Sequence, residues 1–337
     1  MDGQVVRLEK PLADVADQFV RCRLVKIAGA DLSKFEFDYD LTWFAFFLNA
    51  DETIYGRYGG RDATDAEARI SLKGLRYAMD QALETHKSPP PAPNAVKPVF
   101  AEKYDAAKSH KGCIHCHNVK EFRRADEKKA GTWTRDSLWV YPLPENVGIT
   151  LDVDVGNRVK AVAKDSAAAK AGLQAGDFVT RIGETNVASF GDAIYGLHKS
   201  PAVGEIPIRW TRDGKEQSAK LTVTAGWRRT NLTWRPSLLD ILPSVPFYGD
   251  DLTAAEKKKL GLDEKRAAFR QDKTVHRTLK DAGIEPLDVI IGIDGKSVEG
   301  EYANLLGFVR RNYLVGDTIT VDVIRDGKPT QVKVKLR

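Results

Sequence analysis

The second half of the chain repeats itself, and this repeat limits the possible folds more than any other feature of the sequence. Three phrases each recur once, in the same order. The pairs are Val147-Gly148-Ile149 with Leu260-Gly261-Leu262, Lys170-Ala171-Gly172-Leu173-Gln174-Ala175-Gly176-Asp177 with Asp281-Ala282-Gly283-Ile284-Glu285-Pro286-Leu287-Asp288, and Arg212-Asp213-Gly214-Lys215 with Arg325-Asp326-Gly327-Lys328. Such self-similarity indicates a duplicated structural unit. We predict one domain over residues 141–226, a connector over 227–250 and a second domain over 251–337.

Each copy is predicted to be a small β-rich domain with one main helix. Apolar and β-branched runs at 178–182 and 206–210 predict strands, and the Asp-Gly pair that follows predicts a hairpin turn. Apolar residues at helical spacing predict a helix over 190–198. The corresponding segments of the second copy are strands over 289–293 and 319–323 and a helix over 302–312.

The phrase from Ser166 to Val179, followed by Arg212-Asp213-Gly214-Lys215, resembles PDZ domains of the HtrA type. That resemblance implies that each copy holds a peptide, or the C-terminus of a protein, along a strand edge. Backbone N–H groups beside Gly148 and Gly261 would then receive a terminal carboxylate. The expected peptide-binding residues are Val147, Gly148, Ile149, Ile194 and Leu197 in the first copy, and Leu260, Gly261, Leu262, Leu305 and Val309 in the second. Gly148→Trp is expected to weaken peptide binding without unfolding the chain.

A predicted helical segment over 99–140 contains Cys113-Ile114-His115-Cys116-His117. Two thiols at this spacing followed by histidine are typical of c-type haem attachment, with His117 as iron ligand and His110 as the candidate for the opposite face. His115 is expected to point elsewhere. Zinc or copper bound by Cys113, Cys116, His117 and His110 is an alternative. In a third interpretation the thiols are a redox dithiol without a cofactor.

The first block, over 1–87, combines a hairpin with helices, and a proline-rich linker over 88–98 follows it. Patterning predicts a half-buried strand over 19–27, in which Cys22 packs as a small apolar residue. A helix is predicted over 63–83. The phrase from Phe47 to Gly59 resembles the C-terminal half of a thioredoxin-like α/β domain, here without the first strand and the Cys-x-x-Cys helix.

Composition indicates a multidomain globular protein. The 337 residues are 42% hydrophobic, and the formal charge of +5 is spread along the chain rather than gathered into a nucleic-acid patch. No window approaches the roughly 18 apolar residues of a membrane span. The start of the chain lacks the apolar core of a signal peptide, so an extracytoplasmic location requires a leader that has been removed. No Gly-x-Ser-x-Gly phrase accompanies His198 or His276, so a protease is not expected.

The order of these segments resembles extracytoplasmic bacterial proteins, of planctomycete type, that join a thioredoxin-like domain to PDZ domains. The resemblance implies a periplasmic location but no single activity. We therefore expect a peptide-binding scaffold with two PDZ-like domains and a haem c or redox centre at Cys113, Cys116 and His117. The alternative is a thiol–disulfide oxidoreductase that acts with a redox partner protein and selects clients through the PDZ-like domains. Any enzymatic activity is expected to be redox chemistry.

Overall fold

The computed structural model describes residues 10–92 and 96–337, which divide into two compact units. The first ends at Ser237 and the second is Leu238–Arg337. The α-helices are α1 (Lys10–Ala16), α2 (Leu72–His86), α3 (Asp105–Ser109), α4 (Cys116–Ala130), α5 (Ala167–Lys170), α6 (Phe190–Lys199), α7 (Ala254–Lys259), α8 (Arg277–Ala282) and α9 (Tyr302–Asn312). The strands are β1 (Ala45–Leu48), β2 (Ile54–Tyr58), β3 (Ile149–Leu151), β4 (Val159–Val162), β5 (Phe178–Ile182), β6 (Thr185–Asn186), β7 (Gly204–Arg212), β8 (Lys215–Val223), β9 (Gly249–Asp251), β10 (Phe269–Gln271), β11 (Val289–Ile293), β12 (Thr318–Arg325) and β13 (Lys328–Lys335).

The N-terminal block packs α1 and α2 against the β1–β2 hairpin. The two strands pair antiparallel, with Phe46 opposite Arg57. α2 begins at Leu72 rather than near residue 63, because the Ser71 side chain accepts the Gly74 N–H at 2.9 Å and caps the helix there. The core of the block contains Leu12, Val15, Phe47, Tyr58, Leu75 and Met79. The likeness of this block to a thioredoxin domain stays a prediction.

The strand predicted over 19–27 is not formed, and that prediction was wrong. Val20 is 94% exposed and Cys22 is exposed as well. A strand needs a neighbour for its backbone N–H and C=O groups, and the only sheet of this block in the described residues is the β1–β2 pair. Alternation of apolar and basic residues was therefore not enough to form a strand, and Cys22 does not pack in the core.

The segment with the two thiols folds against residues that follow α1. α4 begins at Cys116 and ends before Gly131, whose positive φ of 71° closes the helix. The apolar side of α4 contributes Val119 and Phe122 to a small core. The other buried members of that core are Ile27, Ala30, Leu32, Tyr39, Ala101 and Tyr104. The site residues therefore sit where a helix starts on the surface of a packed cluster.

The first PDZ-like domain has a four-stranded sheet in the order β6-β5-β7-β8 and a separate β3–β4 ribbon. All neighbouring strands pair antiparallel. α6 starts at the Ser189 cap and buries its apolar residues in the core. The most deeply buried members of this core include Ile149, Ile182, Leu197, Ile206, Ile208 and Leu221.

The second PDZ-like domain has one five-stranded sheet in the order β13-β12-β11-β10-β9. β9 occupies the place that β3 has in the first domain, because each pairs antiparallel with the next strand of its own copy. A longer connection containing α7 separates β9 from β10. The core between sheet and α9 includes Phe247, Phe269, Leu279, Ile290, Leu305 and Val309.

Two of the repeated phrases contribute the aspartate and the arginine of an ion pair that each copy forms. Asp177 is 2% exposed, and Arg212 Nε lies 2.7 Å from its Oδ1. In the second copy Arg325 Nε lies 2.8 Å from Asp288 Oδ1. The repeat visible in the sequence thus marks a tertiary contact that each copy makes between the turn before one strand and the end of another. Within residues 10–92 and 96–337, no helix has the length and apolar character needed to cross a bilayer.

Candidate functional site

β3 presents an unpaired side in the part of the chain that the structure describes. Thr150 lies opposite Ala161 on β4, and Ala163 N–H donates to Gly148 O at 2.9 Å. Because backbone groups of successive strand residues point in opposite directions, those of Ile149 and Leu151 point away from β4. This is the edge along which a peptide was expected to add.

Gly148 has a structural role beside this edge. Its φ is +91°, and its N–H donates to Glu145 O at 3.0 Å, closing a 3-10 turn over Pro144–Val147. A Cβ on Gly148 would lie 2.1 Å from the Ser166 Cβ. The substitution Gly148→Trp therefore tests folding rather than peptide binding, and this corrects the expectation drawn from the sequence.

The helix beside β3 is covered by the N-terminal block. Asp192 Oδ1 accepts the Arg57 N–H at 2.9 Å, and the Ser189 hydroxyl donates to Arg57 O. The Arg57 guanidinium lies 3.7 Å from the centre of the Tyr195 ring. The predicted groove residues Ile194 and Leu197 are buried in the domain's own core. α6 is thus enclosed between its own sheet and the β1–β2 hairpin.

Residues of the N-terminal block also contact both ends of α6. At its start, Arg69 lies 2.7 Å from Glu145 Oε1 and stacks 5.1 Å from the Phe190 ring. Toward its end, Glu36 lies 3.7 Å from His198 Nε2. The N-terminal block therefore reaches both the helix and the turn before β3. The expected groove of the first domain lies between α6 and the start of β3. Contacts with the N-terminal block of the same chain hold these two sides together.

A cavity of about 210 Å³ remains at this contact, lined in part by Tyr55, Arg57, Asn157 and Asp192. Burial raises the pKa of the Asp192 carboxyl to about 6, and the Arg57 guanidinium opposes that rise. A raised pKa means that the charged carboxylate destabilises the folded state above pH 6. The covered arrangement therefore gains stability as the pH falls through 6 towards the ordinary aspartate value.

The second domain presents a comparable edge at β9. Asp250 lies opposite Arg270, Leu252 N–H donates to Ala268 O at 2.9 Å, and Asp272 N–H donates to Tyr248 O at 2.8 Å. These bonds assign even-numbered residues to the β10 side. The backbone N–H and C=O groups of Gly249 and Asp251 consequently point outward. β9 ends the sheet, so this side has no neighbouring strand among the described residues.

The loop predicted at Leu260-Gly261-Leu262 lies elsewhere. Gly261 has a φ of +69° and follows α7, where its N–H donates to Lys258 O at 3.1 Å. No strand begins directly after it, because the next strand, β10, starts only at Phe269. Gly249 lies instead at the start of β9, where a Cβ would meet Arg270 O at 1.9 Å. Sequence similarity selected Gly261 because Gly148 and Gly261 both have positive φ and both lie between aliphatic residues.

Tyr302, the first residue of α9, connects the helix to β9. Its N–H donates to Asp251 Oδ1 at 2.8 Å and its hydroxyl donates to Phe247 O. Its ring packs edge-on against Phe269, with 4.6 Å between ring centres. The predicted groove residues Leu305 and Val309 are fully buried, whereas Leu306 is half-buried beside them. The edge of β9 is thus anchored to the helix at both ends, while the amides of Gly249 and Asp251 stay outward.

At the Cys-x-x-Cys-His segment, Cys113 is exposed and Cys116 is half-buried, and both are free thiols. Burial raises the pKa of the Cys116 thiol, which keeps it protonated. His117 Nδ1 lies 2.7 Å from Glu121 Oε1, one helical turn later. A carboxylate on Nδ1 fixes the ring and leaves Nε2 as the outward nitrogen.

The other histidines of the segment also lie close by. His110 Nε2 is 3.3 Å from Cys113 O, and its ring contacts Phe122. His115, expected to point elsewhere, stacks on His117 with 5.8 Å between ring centres. No group of three or more His, Cys, Asp or Glu side chains arranged to hold a metal ion occurs in the described ranges.

A buried ionic cluster was not foreseen from the sequence. Arg235 Nη1 lies 2.7 Å from Asp38 Oδ1 and 3.0 Å from Asp40 Oδ2, and Lys120 Nζ lies 2.8 Å from Asp40 Oδ2. All but Lys120 are almost completely buried. The cluster joins the N-terminal block, α4 and the connector after the first PDZ-like domain. Its members are distant in sequence, so no local pattern could reveal it.

Comparison with known proteins supports the PDZ assignment. Residues 143–223 match the family model described as PDZ domain. The "Probable periplasmic serine endoprotease DegP-like" of Marinomonas sp. (strain MWYL1) is 26% identical over 203 residues, which is 58% of this chain and 39% of that protein. The chain therefore spans about two fifths of the length of this curated relative.

Among solved structures, "HtrA-type protease AlgWS227A with decapeptide" is similar at 22% identity and a TM-score of 0.26, over 39% of this chain and 41% of that one. The serine endoprotease from Yersinia pestis is similar at 20% identity and a TM-score of 0.24, over 35% and 39%. Residues 143–223 match the PDZ domain model, and the larger sheets of the described residues have four and five strands, so the protein is a multidomain chain that contains a PDZ domain.

Proposed function

We propose that this protein is an extracytoplasmic peptide-binding scaffold, in which an extended peptide adds to the open edge of a PDZ-like sheet. The outward N–H and C=O groups of Gly249 and Asp251 are the observation that carries the proposal. An exposed strand edge offers main-chain hydrogen bonds to any extended segment, and PDZ domains bind peptides in this way. The relative described as periplasmic supports the location.

The edge of β3 is the weaker candidate for peptide binding. Its backbone groups at Ile149 and Leu151 also point away from β4. Its helix, however, is covered by Arg57 and Arg69 of the N-terminal block. A peptide would have to displace those contacts first, and this would reduce its apparent affinity.

Affinity capture of a pooled decapeptide library on the full chain tests the proposal. We expect captured peptides to slow the hydrogen exchange of the Gly249 and Asp251 amides, because a new strand would accept hydrogen bonds from them. The Asp250 amide is the internal control: it faces β10 and should already exchange slowly. Peptides that bind and leave the Gly249 and Asp251 amides unchanged would exclude this edge, and a library without any captured peptide would contradict the scaffold function.

As a second candidate function, we propose that the segment over 113–117 carries haem c. The supporting observation is the Glu121 carboxylate on His117 Nδ1, since metal-bound histidines commonly have such a partner. The free thiols of Cys113 and Cys116 have the chemistry that thioether attachment requires. When bound, the haem would supply one-electron redox chemistry. The thiols of Cys113 and Cys116 would hold the haem, and Glu121 would orient His117.

The test is an absorbance spectrum of the full chain made in a periplasmic host that attaches haem. We expect a Soret band that survives denaturation in the native chain and in Cys22→Ser, which serves as the control because Cys22 lies outside the motif. Cys113→Ser with Cys116→Ser should lose the denaturation-resistant band. A colourless native protein with reactive thiols would instead favour the thiol–disulfide alternative.

A further inference from the structure

The open edge of β9 is surrounded by exposed carboxylates. Asp250 and Asp251 belong to the strand, and Asp272 is held beside Tyr248 by a backbone hydrogen bond of 2.8 Å. Glu301 directly precedes Tyr302, whose N–H donates to Asp251. All four acidic side chains belong to exposed residues. A peptide that adds to β9 therefore meets a strongly negative surface.

The basic residues near this edge do not balance it. Arg270, opposite Asp250, has its guanidinium 3.3 Å from Glu256 Oε1. Lys273 is exposed and lines the same pocket as Asp250 and Asp272. The acidic residues Asp250, Asp251, Asp272, Glu301 and Glu256 outnumber Arg270 and Lys273, so the net charge along the edge stays negative.

A second, independent observation lies in this pocket, which has a volume of about 480 Å³. Gln271 lines it and is fully buried, and its side-chain Oε1 has no hydrogen-bond partner in the described structure. A buried carbonyl oxygen without a partner is costly, and a donor can remove that cost. Ammonium and guanidinium groups are donors that also suit the carboxylates around the pocket.

A terminal carboxylate fits this edge poorly. It would have to lie at the Gly249 N–H, next to the side chains of Asp250 and Asp251. Like charges placed together across an interface are unfavourable and exclude wrong partners.

We infer that the β9 edge binds an extended peptide segment bearing lysine or arginine, rather than the free C-terminus of a protein. The inference rests on the proposed peptide-binding function and narrows it to one domain and one class of partner. Main-chain hydrogen bonds to Gly249 and Asp251 supply the contact, and the carboxylates with Gln271 Oε1 select the positive charge.

Fluorescence polarisation with the full chain tests it, using three labelled ten-residue probes. One alternates valine and lysine with both ends blocked, one has glutamate in place of lysine, and one is the lysine probe with a free carboxylate. We expect the blocked lysine probe to bind about tenfold or more tighter than the glutamate probe, a difference of about 1.4 kcal/mol or more, and tighter than the free acid.

The matched variants are Asp250→Lys at the edge and Asp281→Lys on α8, which packs on β13 at the opposite side of the sheet. Both change the net charge equally, but only Asp250→Lys should abolish the preference for lysine. Equal binding of the glutamate or free-acid probe would overturn the inference while leaving peptide binding intact. If none of the probes binds and no library peptide is captured, both the inference and the proposed function fail.

Discussion

Replacing Arg235 by alanine is expected to lower the free energy of unfolding of the first unit by about 3–5 kcal/mol. The side chain of Arg235 is 3% exposed and lies within 3.0 Å of carboxylate oxygens on Asp38 and Asp40. Removing it leaves two buried negative charges with Lys120 as their remaining cation in the cluster. Urea unfolding of the full chain, followed by tryptophan fluorescence, measures the loss.

The control is Arg229→Ala, which removes an exposed arginine from the same connector. Arg229 stacks on Trp139 at 5.1 Å and should contribute less than about 1 kcal/mol. Equal effects of the two substitutions would show that the buried cluster does not hold the three segments together.

The same cluster predicts that the free energy of unfolding of the first unit decreases at acid pH. Burial acts to raise the pKa of Asp38 and of Asp40, but the nearby Arg235 and Lys120 outweigh it, so both pKa values lie below the usual range. A lowered pKa gives stability that is present above the unfolded value of about 4 and lost as the pH falls below it. The free energy of unfolding should therefore fall more steeply below about pH 4 in the native chain than in Arg235→Ala.

Gly74→Ala is expected to destabilise the protein by about 1–3 kcal/mol, although alanine favours helices over glycine. Gly74 lies in α2, and a Cβ there would meet Val153 O at 2.3 Å. Intrinsic helix preference alone predicts a stabilisation of about 1 kcal/mol. The sign of the measured change in urea unfolding thus reports whether α2 packs against the β3–β4 connection.

Gly307→Ala in α9 is the matched control. A Cβ on Gly307 would meet only the movable end of Arg311, at 3.1 Å. This substitution should stabilise its domain by about 0.5–1 kcal/mol, following helix preference. If Gly74→Ala stabilises as well, then the N-terminal block does not cover the first PDZ-like domain as closely as described.

The repeat could be found in the sequence because two of its recurring phrases contain residues that contact each other in the fold. Asp177 pairs with Arg212 and Asp288 pairs with Arg325, so both members of each pair recur. The α9 helix was predicted over 302–312 and is formed at Tyr302–Asn312, since its apolar residues keep helical spacing and face one core. The glycine loop of the second copy was misplaced, because Gly148 and Gly261 both have positive φ between aliphatic residues, although one precedes a strand and the other follows a helix.

The amino-acid sequence alone determined that the second half contains two related β-rich domains and that two thiols and a histidine stand at haem-like spacing. Local spacing and paired anchors are sufficient for those conclusions. Only the tertiary structure decided which strand edges are open, that the N-terminal block encloses α6, and that Arg235 meets Asp38 and Asp40. These features depend on contacts between residues far apart in the chain, where hydrogen-bond direction, close packing and buried charge are set by the fold rather than by neighbouring residues.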